Sequence, residues 1–196
     1  MGSRSLFSGW ASALGAAAFL GAISTAGDWV WANHLRDGAV LPGVVHGVVV
    51  FVALAVALGW GADRQGATRY LLLRLPPAGL VIAALFYPVA YLIGYLPALL
   101  VSWTAMWLTL AWARNGADGG RGAKGVVLGR GLGAAIGSGL AFWAISGIWT
   151  APSPEPPDYL VRWLLWTLAF LPGFAALMVR WEPARAAGRG GEVAGR

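Results

Sequence analysis

PPAGLVIAALFYPVAYLIGYLPALLVSWTAMWLTLAWA, residues 76–113, runs without one Asp, Glu, Lys or Arg. As a single helix rising ~1.5 Å per residue it would reach ~57 Å, against ~30 Å for the hydrocarbon core of a bilayer. The stretch must therefore turn back on itself. Gly94-Tyr95-Leu96-Pro97, near its middle, supplies the break. Two antiparallel spans follow, 77–94 and 98–113, joined by a very tight turn. The competing reading makes the short second segment tilted or partly re-entrant.

The same reasoning extends in both directions. Residues 7–27 form an apolar block long enough to cross a bilayer. The mixed segment Asp28–Pro42 separates it from a second block, 43–61, which Pro42 leads into. A polar segment, 62–74, precedes the uncharged stretch. A glycine-rich basic segment, 114–130, leads into a fifth span at 131–149. TAPSPEPPD, residues 150–158, carries four prolines and cannot be a helix interior. A sixth span follows at 160–180. Residues 182–196 are mostly Gly, Ala and Arg, with little to bury, and read as a disordered cytoplasmic tail. The predicted fold class is all-α: a polytopic transmembrane bundle, with residues 1–181 as one domain.

Charge orients this layout. With the amino terminus in the cytoplasm, twelve of the 14 Lys and Arg fall on the cytoplasmic side, and only Arg36 and Arg162 face outward. That split is what the positive-inside rule produces, and dropping one span would scramble it. Both termini are thus expected in the cytoplasm. Five spans remain if the first block is a cleaved signal: Arg4, the apolar run and Ser24-Thr25-Ala26 have that form. The run is, however, longer than the usual ~7–15 residues.

Composition agrees. The chain is 58% hydrophobic and 11% charged, whereas soluble domains carry roughly 25% charged residues. The net charge of +6 lies in short loops, where it serves topology and anionic lipid headgroups. No basic stripe interleaved with aromatics points to nucleic acid. With no cysteine there is no disulfide, thiolate metal site or cysteine nucleophile. Two histidines limit bis-histidine haem to one group. The Gly-rich 116–133 segment contains Lys124, but no Ser or Thr follows it, so it is no phosphate loop. No GxSxG elbow is present. No cofactor is identified.

Eight of the 12 tryptophans lie near predicted span ends (Trp10, Trp29, Trp31, Trp60, Trp112, Trp149, Trp163 and Trp181), forming an aromatic belt. Gly129, Gly133 and Gly137 recur every fourth residue, and Gly131, Ala135 and Gly139 form a second row. Such rows let helix backbones approach closely, within the chain or against a partner.

Reactive side chains gather in the first outer loop. Asp28 ends the first span and His46 begins the second, so a hairpin brings their levels together. A carboxylate beside an imidazole fixes its tautomer and can make a general base, which marks Asp28 and His46 as candidate catalytic residues. His34, Asp37 and His46 are candidate metal ligands, although their spacing matches no standard motif. Tyr87, Tyr91 and Tyr95 share one helix face, with Pro88 as a kink. Ser102, Trp103 and Trp107 lie on the next span. Tyr87, Tyr91, Ser102, Trp103 and Trp107 could line a groove for a lipid, quinone or pigment, or serve helix packing.

Three functions remain open. The leading one is a structural or accessory subunit packing against other membrane proteins or itself, since the span interiors show no ionisable group away from their ends except His46. The second is a small enzyme or binding protein for a lipid-soluble ligand, with a polar site on the outer face. The third is a passive channel or transporter. The bilayer is the common partner, and a bacterial inner membrane the expected location.

Overall fold

A computed structural model describes residues 2–34, 40–60, 66–146 and 156–179. Six helices account for nearly all of them: α1 Gly2–His34, α2 Val40–Trp60, α3 Ala67–Ile93, α4 Tyr95–Ala117, α5 Lys124–Ser146 and α6 Pro156–Met178. Each carries a segment long and apolar enough to cross a membrane. The chain has the form of a multi-pass membrane protein.

The turn between the third and fourth spans is a single residue. Gly94, at φ 95° and ψ 161°, ends α3 and begins α4. That conformation is open essentially to glycine alone, because a Cβ would collide with the flanking backbone. Its N–H still donates to Ala90 O, and its carbonyl accepts from Ala98 N, so the break leaves neither group orphaned.

Each helix runs beyond its expected span at one end or both; α5 begins at Lys124 rather than 131, inside the segment expected to be a glycine-rich loop, and α4 runs to Ala117 rather than 113. α1 continues through Asp28 to His34, and α3 begins at Ala67 rather than near 77. Pro76, Pro77 and Pro88 all lie inside α3. Prolines are tolerated in transmembrane helices, where neighbouring groups re-satisfy the freed carbonyls. The polar 67–74 segment is thereby helical, and the Arg74 guanidinium sits 5.5 Å from the Tyr70 ring centroid.

Each helix packs on its neighbours in sequence, and α1 closes the ring against α6. The α1–α6 seam is extensive, and the reason is legible in α1. Gly9, Ala13, Ala17 and Gly21 recur every fourth residue, and Ala13 and Ala17 have no exposed surface. A Cβ on Gly9 would lie 3.2 Å from Met178 O, and one on Gly21 would lie 3.1 Å from Trp163 O. Small residues bring the two backbones into contact, which is how helices associate where lipid removes the hydrophobic drive.

The interior is filled. Leu20, Leu54, Leu58, Leu71, Leu75, Trp107, Leu110 and Phe174 are almost wholly buried. Aromatic rings stack across α4, α5 and α6: Trp166 on Phe170 at 5.4 Å and 15°, Trp103 on Phe170 at 5.6 Å and 19°, and Phe142 on Trp166 at 5.4 Å and 23°. Ser138, fully buried on α5, donates to Ala169 O of α6 at 2.5 Å.

At one end of the bundle, Arg114 of α4 donates to Leu58 O at 2.6 Å and to Asp118 at 3.1 Å. Leu58 lies in the last turn of α2, whose carbonyls lack intrahelical partners. Arg114 therefore caps α2 as well as carrying charge. Among the described residues, every Lys and Arg except Arg162 belongs to this Arg114 end. Arg162 lies at the other end, with Asp28.

Candidate functional site

The Asp28 end holds a polar cluster built from three helices. Asp28 lies on α1, one position beyond Gly27. Because Gly27 has no side chain, the His46 ring of α2 rests on it: a Cβ there would fall 2.2 Å from His46 Cε1 and 2.8 Å from Nδ1. From α6, the Trp166 indole N–H donates to Asp28 Oδ2 at 2.8 Å. Arg162, one helical turn earlier, places its guanidinium nitrogen 4.0 Å from the same oxygen. Residues four apart on a helix share a face, so Arg162 and Trp166 reach Asp28 together. The side chains are sequestered, with 6% of Arg162 and 25% of Asp28 exposed.

Tyr159 extends the cluster. Its ring lies 6.0 Å beneath the Arg162 guanidinium. Its hydroxyl is buried and has no hydrogen-bond partner among the described residues, and the same holds for the Thr25 hydroxyl of α1. Both residues line an open groove of about 290 Å³ between α1 and α6, bounded also by Ala22, Ala26, Trp29 and Trp163. Trp163 is oriented by its own donation to Ala18 O at 2.8 Å.

The other candidates are placed as follows. Asp37 lies outside the described residues, as does the side chain of His34. Among the described residues no three His, Asp or Glu gather closely enough to hold a metal ion. Tyr87 and Tyr91 do not face Trp103 and Trp107. Tyr87 packs its hydroxyl over Gly43 of α2. Tyr91 is 90% exposed. Trp103 and Trp107 turn instead into the aromatic stack with α5 and α6, Trp107 meeting Phe174 edge-on at 5.5 Å. Ser102 is only half-buried beside them. The five residues thus divide between two separate regions.

Of the α5 glycines, Gly137 faces α6, with Pro172 Cβ 3.3 Å from where a side chain would begin. Gly129 and Gly133 meet nothing within 4 Å. They point away from the chain.

Arg162, Trp166, Thr25 and Tyr159 are the residues sequence reasoning missed. In the sequence Arg162 reads as a charge facing outward, and Trp166 falls inside the expected 160–180 span rather than at its end. One signal was available: Asp28 and Arg162 are oppositely charged residues bordering spans that share an end of the bundle.

A smaller cavity of about 80 Å³ at the Arg114 end is lined by Arg114, Asn115, Asp118 and Arg130 among others. There Arg114 and Asp118 pair with each other, and Asn115 Oδ1 accepts from Gly122 N at 2.9 Å. Arg114 also holds the end of α2 through Leu58 O, and Asn115 serves the α4–α5 connection.

Comparison with protein-family models, with curated proteins and with solved structures finds no match to this chain.

Proposed function

We propose that the protein binds a lipid-soluble molecule at the Asp28 end of the bundle, with Asp28, Arg162, Trp166 and His46 forming the polar centre of the site. One observation carries this reading. A carboxylate and a guanidinium from the first and last helices are sequestered side by side within otherwise apolar walls, next to a groove open along one side. Ionisable groups at such positions are expensive, and in membrane proteins they mark ligand, ion or proton sites. As mere glue the pair would be a poor choice, because the cost of desolvating two charges rivals their attraction, and apolar packing would serve as well.

The topology belongs to the same proposal. In it the Arg114 end and both termini are cytoplasmic and the Asp28 end lies on the outer face, a reading that the distribution of Lys and Arg supports. A bacterial inner membrane is the setting. Retention of α1 is part of this reading, and the full burial of Ala13, Ala17 and Leu20 in the bundle supports it.

The test is extraction. Protein purified from its own membrane in mild detergent is treated with organic solvent, and the extract is compared with bulk lipid. One molecule is expected to be enriched near unit stoichiometry, and to be depleted in Asp28→Asn and Arg162→Gln proteins that still insert. An extract matching bulk lipid, or equal enrichment in both variants, contradicts the reading.

A second reading, an accessory subunit that docks on other membrane proteins or itself, is favoured by α5. Gly125, Gly129 and Gly133 meet nothing within 4 Å, and Leu132, Ile136 and Leu140 beside them are 40–62% exposed. This is the small-residue surface that close helix association uses. Leu at Gly129 and Gly133 would break such an assembly without disturbing the bundle. An unchanged complex size in those variants removes this reading.

A further inference from the structure

We infer that the cavity at the Arg114 end is an anion site for a phosphate group, as carried by the headgroup of an anionic phospholipid or by free phosphate. The site is separate from the Asp28 cluster and stands without the ligand-binding reading.

Its place follows from where three helices end. Arg114, Asn115 and Asp118 stand at the end of α4, Arg130 in the second turn of α5, and Leu177 in the last turn of α6. Each lies within two turns of the end of a candidate membrane span. That puts the cavity at the level of lipid headgroups rather than of acyl chains. In the proposed topology the leaflet is the cytoplasmic one, where basic pockets between spanning helices take anionic headgroups.

Size selects a group rather than a whole molecule. At about 80 Å³ the space is several times the ~10–15 Å³ that admits one water. It is far below the roughly 300–1,000 Å³ of sites that enclose a small molecule. A phosphate, with five heavy atoms, suits it, and the rest of its carrier stays outside.

Charge selects an anion. Arg114 and Asp118 lie 3.1 Å apart and balance each other. Arg130 is half-buried and makes no hydrogen bond or ion pair among the described residues. Its charge is therefore left over among the described lining residues. The wider field has the same sign. The stretches of sequence bordering this end, 1–5, 61–74, 114–130 and 180–196, carry 12 Lys and Arg against four Asp and Glu.

A neutral donor completes the site. Asn115 accepts from Gly122 N through Oδ1 at 2.9 Å. That bond fixes the amide and leaves Nδ2 without a partner among the described residues. Both groups are reachable: neither Asn115 nor Arg130 has a polar side-chain atom that is sealed from solvent and unpaired, as the Thr25 and Tyr159 hydroxyls are. A guanidinium hydrogen-bonds phosphate oxygens strongly, and the amide adds a second donor. The apolar wall that Val127 and Leu177 supply strengthens both interactions.

The experiment is native mass spectrometry of the full chain in neutral detergent, titrated separately with dioctanoyl phosphatidylglycerol and with ammonium phosphate. At least one is expected to form a saturable one-to-one adduct. Arg130→Gln should weaken it about tenfold or more, and Arg130→Lys, which keeps the charge, by less. Asn115→Asp keeps the acceptor for Gly122 N but replaces the Nδ2 donor with negative charge, and should also weaken it about tenfold or more. Arg69→Gln removes an exposed charge of α3 outside the cavity and should leave the affinity unchanged. Saturation by the phospholipid without competition from phosphate assigns a lipid headgroup. Saturation or competition by phosphate assigns the free ion; both support the inference. Failure of both probes to saturate overturns it. So does an Arg130→Gln protein weakened no more than Arg69→Gln, which is the behaviour of a diffuse positive surface. An adduct lost in Asp28→Asn but kept in Arg130→Gln belongs to the other end of the bundle and overturns it as well.

Discussion

Asp28→Asn keeps the shape of the side chain and an oxygen for the Trp166 indole, but removes the charge facing Arg162. The two charged atoms stand 4.0 Å apart. At an effective dielectric of about 20 their attraction is about 4 kcal/mol. Removing one member of a sequestered pair generally costs about 3–5 kcal/mol, because the survivor is left without compensation. One quarter of Asp28 remains exposed, and the Arg162 guanidinium also rests on Tyr159. Both soften the loss, so about 2–4 kcal/mol is expected for Asp28→Asn, and similarly for Arg162→Gln. The double variant should recover much of that deficit, leaving a coupling of about 2 kcal/mol or more. Equilibrium unfolding in mixed micelles, followed by tryptophan fluorescence, measures all four proteins. Single variants within about 0.5 kcal/mol of wild type, or a double variant equal to the sum of the singles, would refute the pairing.

Other positions have defined outcomes in the same assay. Gly94→Ala forces a Cβ into φ 95°, ψ 161°, and should lose about 1–3 kcal/mol. Gly173→Ala drives a methyl to within 2.2 Å of the buried Trp107 ring, and should cost about 1–3 kcal/mol by overpacking. Gly133→Ala, with nothing within 4 Å, should be neutral or stabilise by up to ~1 kcal/mol. Gly133→Ala falling as far as Gly173→Ala would contradict the placement of α5. Arg114→Ala strips the charged hydrogen bond from Leu58 O and should lose about 1.5–3 kcal/mol; a change under ~0.5 kcal/mol would leave Arg114 as a topology charge alone.

The six helices could be read from the chain because the governing constraint is local. An apolar block either reaches across a bilayer or does not, and Gly94 is the one break that divides residues 76–113 between two helices. Helix ends were less legible. The polar sequence at 67–74, followed by Pro76-Pro77, looks like a connection before the span, yet α3 contains both, since proline inside a membrane helix is tolerated when neighbouring groups satisfy the freed carbonyls.

Packing faces were harder still. The sequence shows two small-residue rows on α5, but Gly129 and Gly133 of the first have no neighbour within 4 Å. The second α5 row does pack on α4, where a Cβ on Gly131 would lie 3.1 Å from Leu108 Cα and one on Gly139 3.6 Å from Trp103, and Gly9-Ala13-Ala17-Gly21 on α1 is a further row that joins the bundle. Spacing alone cannot say which row finds a partner. Asp28 and His46 do come to the same level, as expected of consecutive spans. The other half of the cluster, Arg162 and Trp166, reaches Asp28 from the last helix, and only ring closure by α1 and α6 brings it there. A hairpin argument sees neighbours in sequence and misses a contact made by the two ends of the chain. For the same reason sequence order sets Trp103 and Trp107 beside Tyr87 and Tyr91, whereas both rings pack on α6 through Phe170 and Phe174.

Native mass spectrometry of the protein released gently from its own membrane is the most direct test of ligand binding at the Asp28 end. The expected spectrum shows the 20.4 kDa chain carrying one small lipid-soluble molecule, with that adduct absent from Asp28→Asn and Arg162→Gln. A wild-type chain that emerges without any such adduct, or only in fixed ratio with other polypeptides, would contradict it and turn attention to the α5 glycine face.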